Sequence, residues 1–284
     1  MNQIKIGIQG VKGAFHEIAV RKYFNQPVEI VECYSFQEEI NQLVNGQIDY
    51  CLMAIENTVA GSILPNYTLV KNNPVKIVGE EYLRIKQNLV GLPGQKIKDL
   101  TEVHSHYMAI EQCRDFLSGI EGIQLVESAD TARSAQEIGT ARIKNRAGIA
   151  SELAAELYGL EILAEEIETN KKNYTRFLVL AKEDKNVQVH HITKASICFS
   201  VTHEKGSLST VLSLMSHFDL NLTKIQSMPI LGKEFQYFFF VDLTFDDYHR
   251  FEEAIWSLDP IVEDLQILGE YEHSISTLEE IHQQ

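Results

Sequence analysis

The sequence predicts an α/β protein with two α/β lobes, followed by a smaller α+β module. Three observations carry this. Short apolar runs alternate with helical patterns through the first two thirds of the chain. The run Tyr50–Ile55 is almost continuously apolar, as in a strand buried on both faces. Beyond Lys194 the patterns fall in the order βαββαβ, the split βαβ arrangement of ferredoxin-like folds.

Taken in order, Ile4–Ile8 reads as a strand, followed by Gly10-Val11-Lys12-Gly13 and a helix from about His16 to Phe24. Val28–Cys33 reads as a second strand. Ser35 then suits an N-cap for a helix that sets Phe36, Ile40 and Leu43 on one face. With Tyr50–Ile55 this is a βαβαβ start, which implies a mostly parallel sheet with helices on both sides. Glu81–Leu92 reads as a strand pair or one long crossing strand. Glu102–His104 leads into a helix over Tyr107–Ser118, and Ile123–Glu127 into a helix over Thr131–Lys144. A strand at Arg146–Ala150, a helix at Ser151–Tyr158 and apolar strands at Glu161–Glu168 and Thr175–Ala181 close the second lobe.

The polar stretch Lys182–Asn186 begins a linker that ends at Lys194. The expected domains are therefore 1–185 for the two lobes and 194–271 for the α+β module, with a polar tail at 272–284.

The chain has 284 residues, 44% of them hydrophobic and 23% charged, which suits a soluble two-module protein. A net charge of −15 argues against nucleic acid or an anionic membrane as partner. No apolar run is long enough to cross a bilayer, and the first residues read as a strand, so a cytoplasmic location is expected. Cys33, Cys51, Cys113 and Cys198 lie among apolar neighbours without CxxC spacing, so neither a zinc site nor a disulfide framework is expected.

Five segments at strand ends or helix starts can carry chemistry. Gly10-Val11-Lys12-Gly13-Ala14-Phe15 is either a tight turn or a close approach to an anion at a helix start. Glu56-Asn57-Thr58, continuing to Gly61-Ser62, puts polar groups straight after a buried strand, for helix capping or for a ligand. His104-Ser105-His106 precedes a helix that carries Gln112. Ser105 is a cap or a site residue, and His106 a general acid or a capping residue. In Ser128-Ala129-Asp130-Thr131-Ala132, Asp130 or Thr131 caps the next helix. Asn173-Tyr174-Thr175-Arg176-Phe177 sets an arginine beside a threonine at a strand mouth, suited to a carboxylate, or is a solvated edge. Nothing resembles a cofactor box. The residues by themselves point to a two-lobed α/β binder of a small polar anion, with or without chemistry.

Together these segments resemble the motif set of the prephenate dehydratases. The match is strongest from Ala147–Ser151 through Ala154–Leu160 to Thr175-Arg176-Phe177. Ile55-Glu56-Asn57-Thr58 is similar to the family's Ile-Glu-Asn-Ser. Ser105-His106 with Gln112-Cys113, Gly10-x-x-Gly13-x-Phe15 and Thr131-Ala132 fit further motifs in family order. Gly206-Ser207-Leu208 and Asn221-Leu222-Thr223-Lys224-Ile225 resemble the regulatory ACT domain.

The resemblance implies a catalytic region folded like type II periplasmic binding proteins. It implies conversion of prephenate to phenylpyruvate, carbon dioxide and water in phenylalanine biosynthesis, with no cofactor and no metal. Thr175 would donate to the departing hydroxyl. Glu56, Asn57, Ser105, Gln112, Thr131, Arg176 and Phe177 would bind the substrate, although strand alternation can turn Arg176 away from Thr175. L-phenylalanine would act as effector at Gly206, Ser207, Leu208, Asn221 and Leu222 in a homodimer or homotetramer.

The chain departs from the pattern at Ala14, His16, Tyr107, Met108 and Asp130. It also departs at Gln226-Ser227-Met228-Pro229, where two opposite charges of the usual Glu-Ser-Arg-Pro are lost. The alternatives are arogenate as substrate, or a non-catalytic sensor of a small anion or amino acid.

Overall fold

The computed structural model describes residues 3–189 and 191–274. The chain forms two compact units that interleave in sequence. One comprises the residues up to Ile63 and Glu81–Phe177, and the other Leu64–Glu80 and the residues from Leu178 onward.

The first unit contains both α/β lobes. The first begins β1 (Lys5–Gln9), α1 (Phe15–Phe24), β2 (Glu29–Cys33), α2 (Phe36–Val44) and β3 (Tyr50–Asn57). Ser35 caps α2 by accepting from the amide of Glu38, and the helix buries Ile40 and Leu43. β1 runs parallel to β2 and β3, and its inward residues Ile6 and Ile8 are completely buried. β4 (Gly61–Ser62) folds back antiparallel on the end of β3. Next come α3 (Leu64–Asn72), in the other unit, and β5 (Val75–Arg84), which has residues in both.

The second lobe follows as β6 (Asn88–Gly91), β7 (Glu102–Ser105), α4 (Tyr107–Gln112), α5 (Arg114–Ser118) and β8 (Gln124–Glu127). It continues through α6 (Thr131–Ala141), β9 (Arg146–Ala150), α7 (Glu152–Leu157) and β10 (Glu161–Ala164). β7 runs parallel to β8 and β9, while β6 is antiparallel to β9 and β10. The strand order is β10-β6-β9-β7-β8. β11 (Tyr174–Lys182) returns to lie beside β3, giving β11-β3-β1-β2 in the first lobe. Each lobe thus places three parallel strands in the order 2-1-3 and then the strand that arrives from the other lobe. This is the two-lobed arrangement expected from the resemblance to type II periplasmic binding proteins.

The α+β module consists of β12 (Lys194–Ser200), α8 (Ser207–His217), β13 (Asn221–Pro229), β14 (Tyr237–Thr244), α9 (Tyr248–Leu258) and β15 (Glu263–Tyr271). Its sheet runs β13-β14-β12-β15, every neighbouring pair antiparallel, as a ferredoxin-like βαββαβ fold requires. Ile197, Phe199, Val211, Met215, Leu243, Phe251 and Leu258 form its core.

Some expected elements are redrawn. The helix expected over Tyr107–Ser118 breaks at Cys113, whose backbone (φ −107°, ψ 10°) leaves the helical region. The strand expected over Glu81–Leu92 is two strands separated at Ile85–Gln87. α3 has no counterpart in the sequence reading, because it buries Asn66 with Tyr67 and Val70 and shows no apolar stripe. All four cysteines are free and buried. Among the described residues no helix is long and apolar enough to cross a membrane, and no His/Cys/Asp/Glu cluster could hold a metal ion. Most of the expected tail at 272–284 lies outside the described residues.

Candidate active site

A cavity of about 570 Å³ opens in the first unit and is lined from both lobes. Thr175 and Phe177 reach it from β11, Asn57 from the end of β3, and Gln112 from α4. Asn57 is held in one orientation. Its carbonyl Oδ1 accepts from the backbone amides of Val59 and Ala60 at 2.9 and 2.8 Å, which fixes the amide against a flip. Its Nδ2 therefore faces β11. From there it donates to Thr175 Oγ1 at 3.0 Å, Asn173 Oδ1 at 2.8 Å and the Tyr174 carbonyl at 3.2 Å.

Asn173, fully buried, passes the chain on. Its Nδ2 donates to Gln112 Oε1 at 2.9 Å. With that carbonyl occupied, the NH₂ group of Gln112 is left to donate to a ligand. The loop after β3 is pinned as well, since the Thr58 hydroxyl accepts from the Tyr174 amide and donates to the Lys172 carbonyl. Thr175 thus accepts a hydrogen bond from a rigid neighbour and keeps its own proton to give.

The two glycines of the first loop serve packing. Gly10 (φ +101°) leaves no room for a Cβ, which would sit 2.0 Å from Asp130 Oδ2. Gly13 (φ +88°) lies against Ala154, whose Cα would be 2.8 Å from an added Cβ. Ser151 and Tyr158 donate to the carbonyls of Gly13 and Lys12 from the second lobe, both at 2.6 Å. Asp130 caps α6 through the Ala132 amide and also accepts from Val11. Burial raises the pKa of its carboxyl, and the amides of Ala132 and Val11 oppose that rise.

Among the described residues no lysine or arginine lines the cavity. Ala14, Ser35 and Asp130, the N-caps of α1, α2 and α6, all line it, so three helix starts face the space.

Asn57, Gln112, Thr131, Thr175 and Phe177 thus come together around one space. Other expected residues do not line it. Arg176, between Thr175 and Phe177 on the strand, turns to the opposite face and lies 5.9 Å over the Tyr82 ring. Ser105 is buried and donates to the Ile149 carbonyl, and Glu56 points away by the same alternation that brings in Asn57. His106, by contrast, does line the cavity, and its Nδ1 caps α4 by accepting from the Met108 amide. Gly206, Ser207, Leu208, Asn221 and Leu222 belong to the other unit, at the start of α8 and of β13. The sequence reading gave no role to Asn173 or Gln87. Asn173 had a signal, being a polar residue directly before an apolar strand.

Residues 6–185 match the family model for prephenate dehydratase, well over half of the chain. The chain belongs to the prephenate dehydratase family. A relative from Arabidopsis thaliana, arogenate dehydratase/prephenate dehydratase 1, is 34% identical over 285 residues, covering 95% of this chain and 72% of its own length. The structure of a prephenate dehydratase from Arthrobacter aurescens in complex with L-Phe superposes with a TM-score of 0.84 at 25% identity, covering 96% of this chain and 91% of that one. The structure of GqqA, described as a novel type of quorum quenching acylase, gives a TM-score of 0.85 at 27% identity, covering 95% and 98%. As a prephenate dehydratase, the chain catalyses a decarboxylating dehydration that yields phenylpyruvate, in aromatic amino acid biosynthesis.

Proposed function

We propose that Thr175 assists the departure of the ring hydroxyl of prephenate, and that Asn57, Gln112, Thr131 and Phe177 orient the substrate. In the reaction, the bond from the ring to its carboxylate breaks and carbon dioxide leaves. The electron pair moves through the ring as the hydroxyl departs at the opposite carbon. The new aromatic ring supplies the driving force, so the enzyme has chiefly to stabilise the leaving oxygen. A threonine hydroxyl is too weak an acid to surrender its proton alone, so an oriented hydrogen bond is the contribution expected of it. The observation that carries this reading is the bond from Asn57 Nδ2 to Thr175 Oγ1, which leaves the threonine O–H to donate. Arg176, Ser105 and Glu56 then act by supporting the strands and loops around the cavity.

On this reading prephenate is preferred to arogenate, since among the described residues the one carboxylate lining the cavity, Asp130, is already engaged by the amides of Val11 and Ala132. The division into a catalytic domain at 1–185 and a regulatory ACT domain at 194–271 follows the ferredoxin-like strand order and the L-Phe complex of the Arthrobacter relative. L-phenylalanine would bind the ACT domain at Gly206–Leu208 and Asn221–Leu222, with two or four copies of the chain assembling through these domains. Four buried free thiols suit a cytoplasmic enzyme.

Turnover is tested by following phenylpyruvate absorbance in strong base, with prephenate and arogenate compared at equal concentration. Faster turnover of prephenate supports the reading, and turnover of arogenate alone would overturn the preference.

A further inference from the structure

His16 stands in the first turn of α1 and lines the cavity beside Phe36 and Phe177. Its ring meets Phe177 edge-on, with centroids 5.0 Å apart, and lies 5.8 Å from Phe36. This packing fixes the ring, yet its Nε2 is buried without a hydrogen-bond partner. A buried polar atom left unpaired in the free protein is costly, and a ligand that supplies the partner recovers that cost on binding. Burial lowers the imidazole pKa to about 4, so the ring is neutral at physiological pH and can present an N–H without carrying a charge.

A second observation points to the same place. α1 is the one of the three long helices starting at the cavity whose N-cap, Ala14, offers no side-chain acceptor. The nearby acid Glu17 is already engaged by the Gly13 amide and by Arg21. The start of α1 therefore has amide donors but no acceptor of its own.

We propose that the start of α1 and the Nε2–H of His16 together form a carboxylate subsite, making His16 a substrate-positioning residue. The inference rests on the reading of this cavity as the prephenate site. In that reading Thr175, two residues before Phe177 on the same strand face, serves the leaving hydroxyl. His16, packed on Phe177, holds a carboxylate of the same molecule. A carboxylate here gains helix-start amides and one imidazole donor, with no lysine or arginine needed.

The test compares His16→Phe, which keeps a packed ring and removes the donor, with His16→Gln, which keeps a donor. Steady-state KM and kcat are measured on prephenate, together with the melting temperature of the unliganded enzyme. The expected result for His16→Phe is a KM raised about tenfold or more, kcat reduced much less, and a melting temperature at or above that of the wild type. His16→Gln should recover most of the affinity. An unchanged KM in His16→Phe, with wild-type turnover intact, would overturn the subsite and leave the site reading standing. A loss in both variants that tracks a lowered melting temperature would make His16 a packing residue. Absence of wild-type turnover on prephenate would instead overturn the site reading, and the subsite with it.

Discussion

Asn57 Nδ2 lies 3.0 Å from Thr175 Oγ1 and donates to it across a sequence separation of 118 residues. Two backbone amides hold the other end of the same side chain. The hydroxyl orientation thus depends on the loop after β3, which belongs to a different segment from the strand that carries Thr175. Asn57→Ala, which removes the donor that orients Thr175, should lower kcat by about tenfold or more, less than loss of the positioned hydroxyl itself, with a smaller change in KM. Parallel kcat and KM measurements on prephenate check this, and a fall in KM-dependent binding alone would point to a different role.

The buried pair Lys194–Glu80 lies in the second unit, with Nζ–O distances of 2.8 and 2.9 Å and both side chains almost fully hidden. Lys194→Met removes the ammonium from the buried Glu80 carboxylate, leaving it to weaker neighbours such as His273 and the Ser274 amide, and should destabilise the fold by about 3–5 kcal/mol. The double variant with Glu80→Leu should recover much of that loss. Denaturant titration of the three proteins measures it.

Glu39 on α2 is completely buried, without an ion-pair partner among the described residues, and burial holds its pKa well above the usual carboxylate range. A carboxyl whose folded pKa is raised contributes its full stability below the unfolded value, about 4.3, and loses it as pH rises toward the folded value. Glu39→Gln should therefore be more stable than the wild type at pH 8, with the gap closing as pH falls toward 4. Each unit separating the two pKa values is equivalent to about 1.4 kcal/mol. Thermal melts at pH 4.5 and pH 8 give the comparison.

The proposed binding of L-phenylalanine to the α+β module should appear as heat in calorimetry and as a melting temperature that rises with ligand concentration. Ser207→Leu, at the start of α8, should abolish both signals while leaving prephenate turnover near the wild-type level. No heat at millimolar phenylalanine would remove the effector assignment.

The lobes and the α+β module were legible because their strands are apolar runs and their helices carry capping residues, as Ser35 shows before α2. The site was legible only in part. Thr175 and Asn57 stand at strand ends, where polar residues interrupt apolar runs. The network through Asn173 to Gln112 depends on contacts between segments 61 residues apart, which no local pattern encodes. Arg176 shows the opposite case. Its charge beside Thr175 suggests a ligand, but period-two alternation places it on the other face of the strand. Helix starts were expected to face a ligand, but that Ala14, Ser35 and Asp130 share one cavity depends on the packing of distant segments.

The most direct test of the account is the kcat of Thr175→Ala on prephenate, beside Thr175→Ser. The account predicts a loss of about 10²–10⁴-fold for alanine, within the range for one positioned proton donor, substantial recovery with serine, and melting temperatures close to the wild type. Near-normal turnover in Thr175→Ala would contradict it.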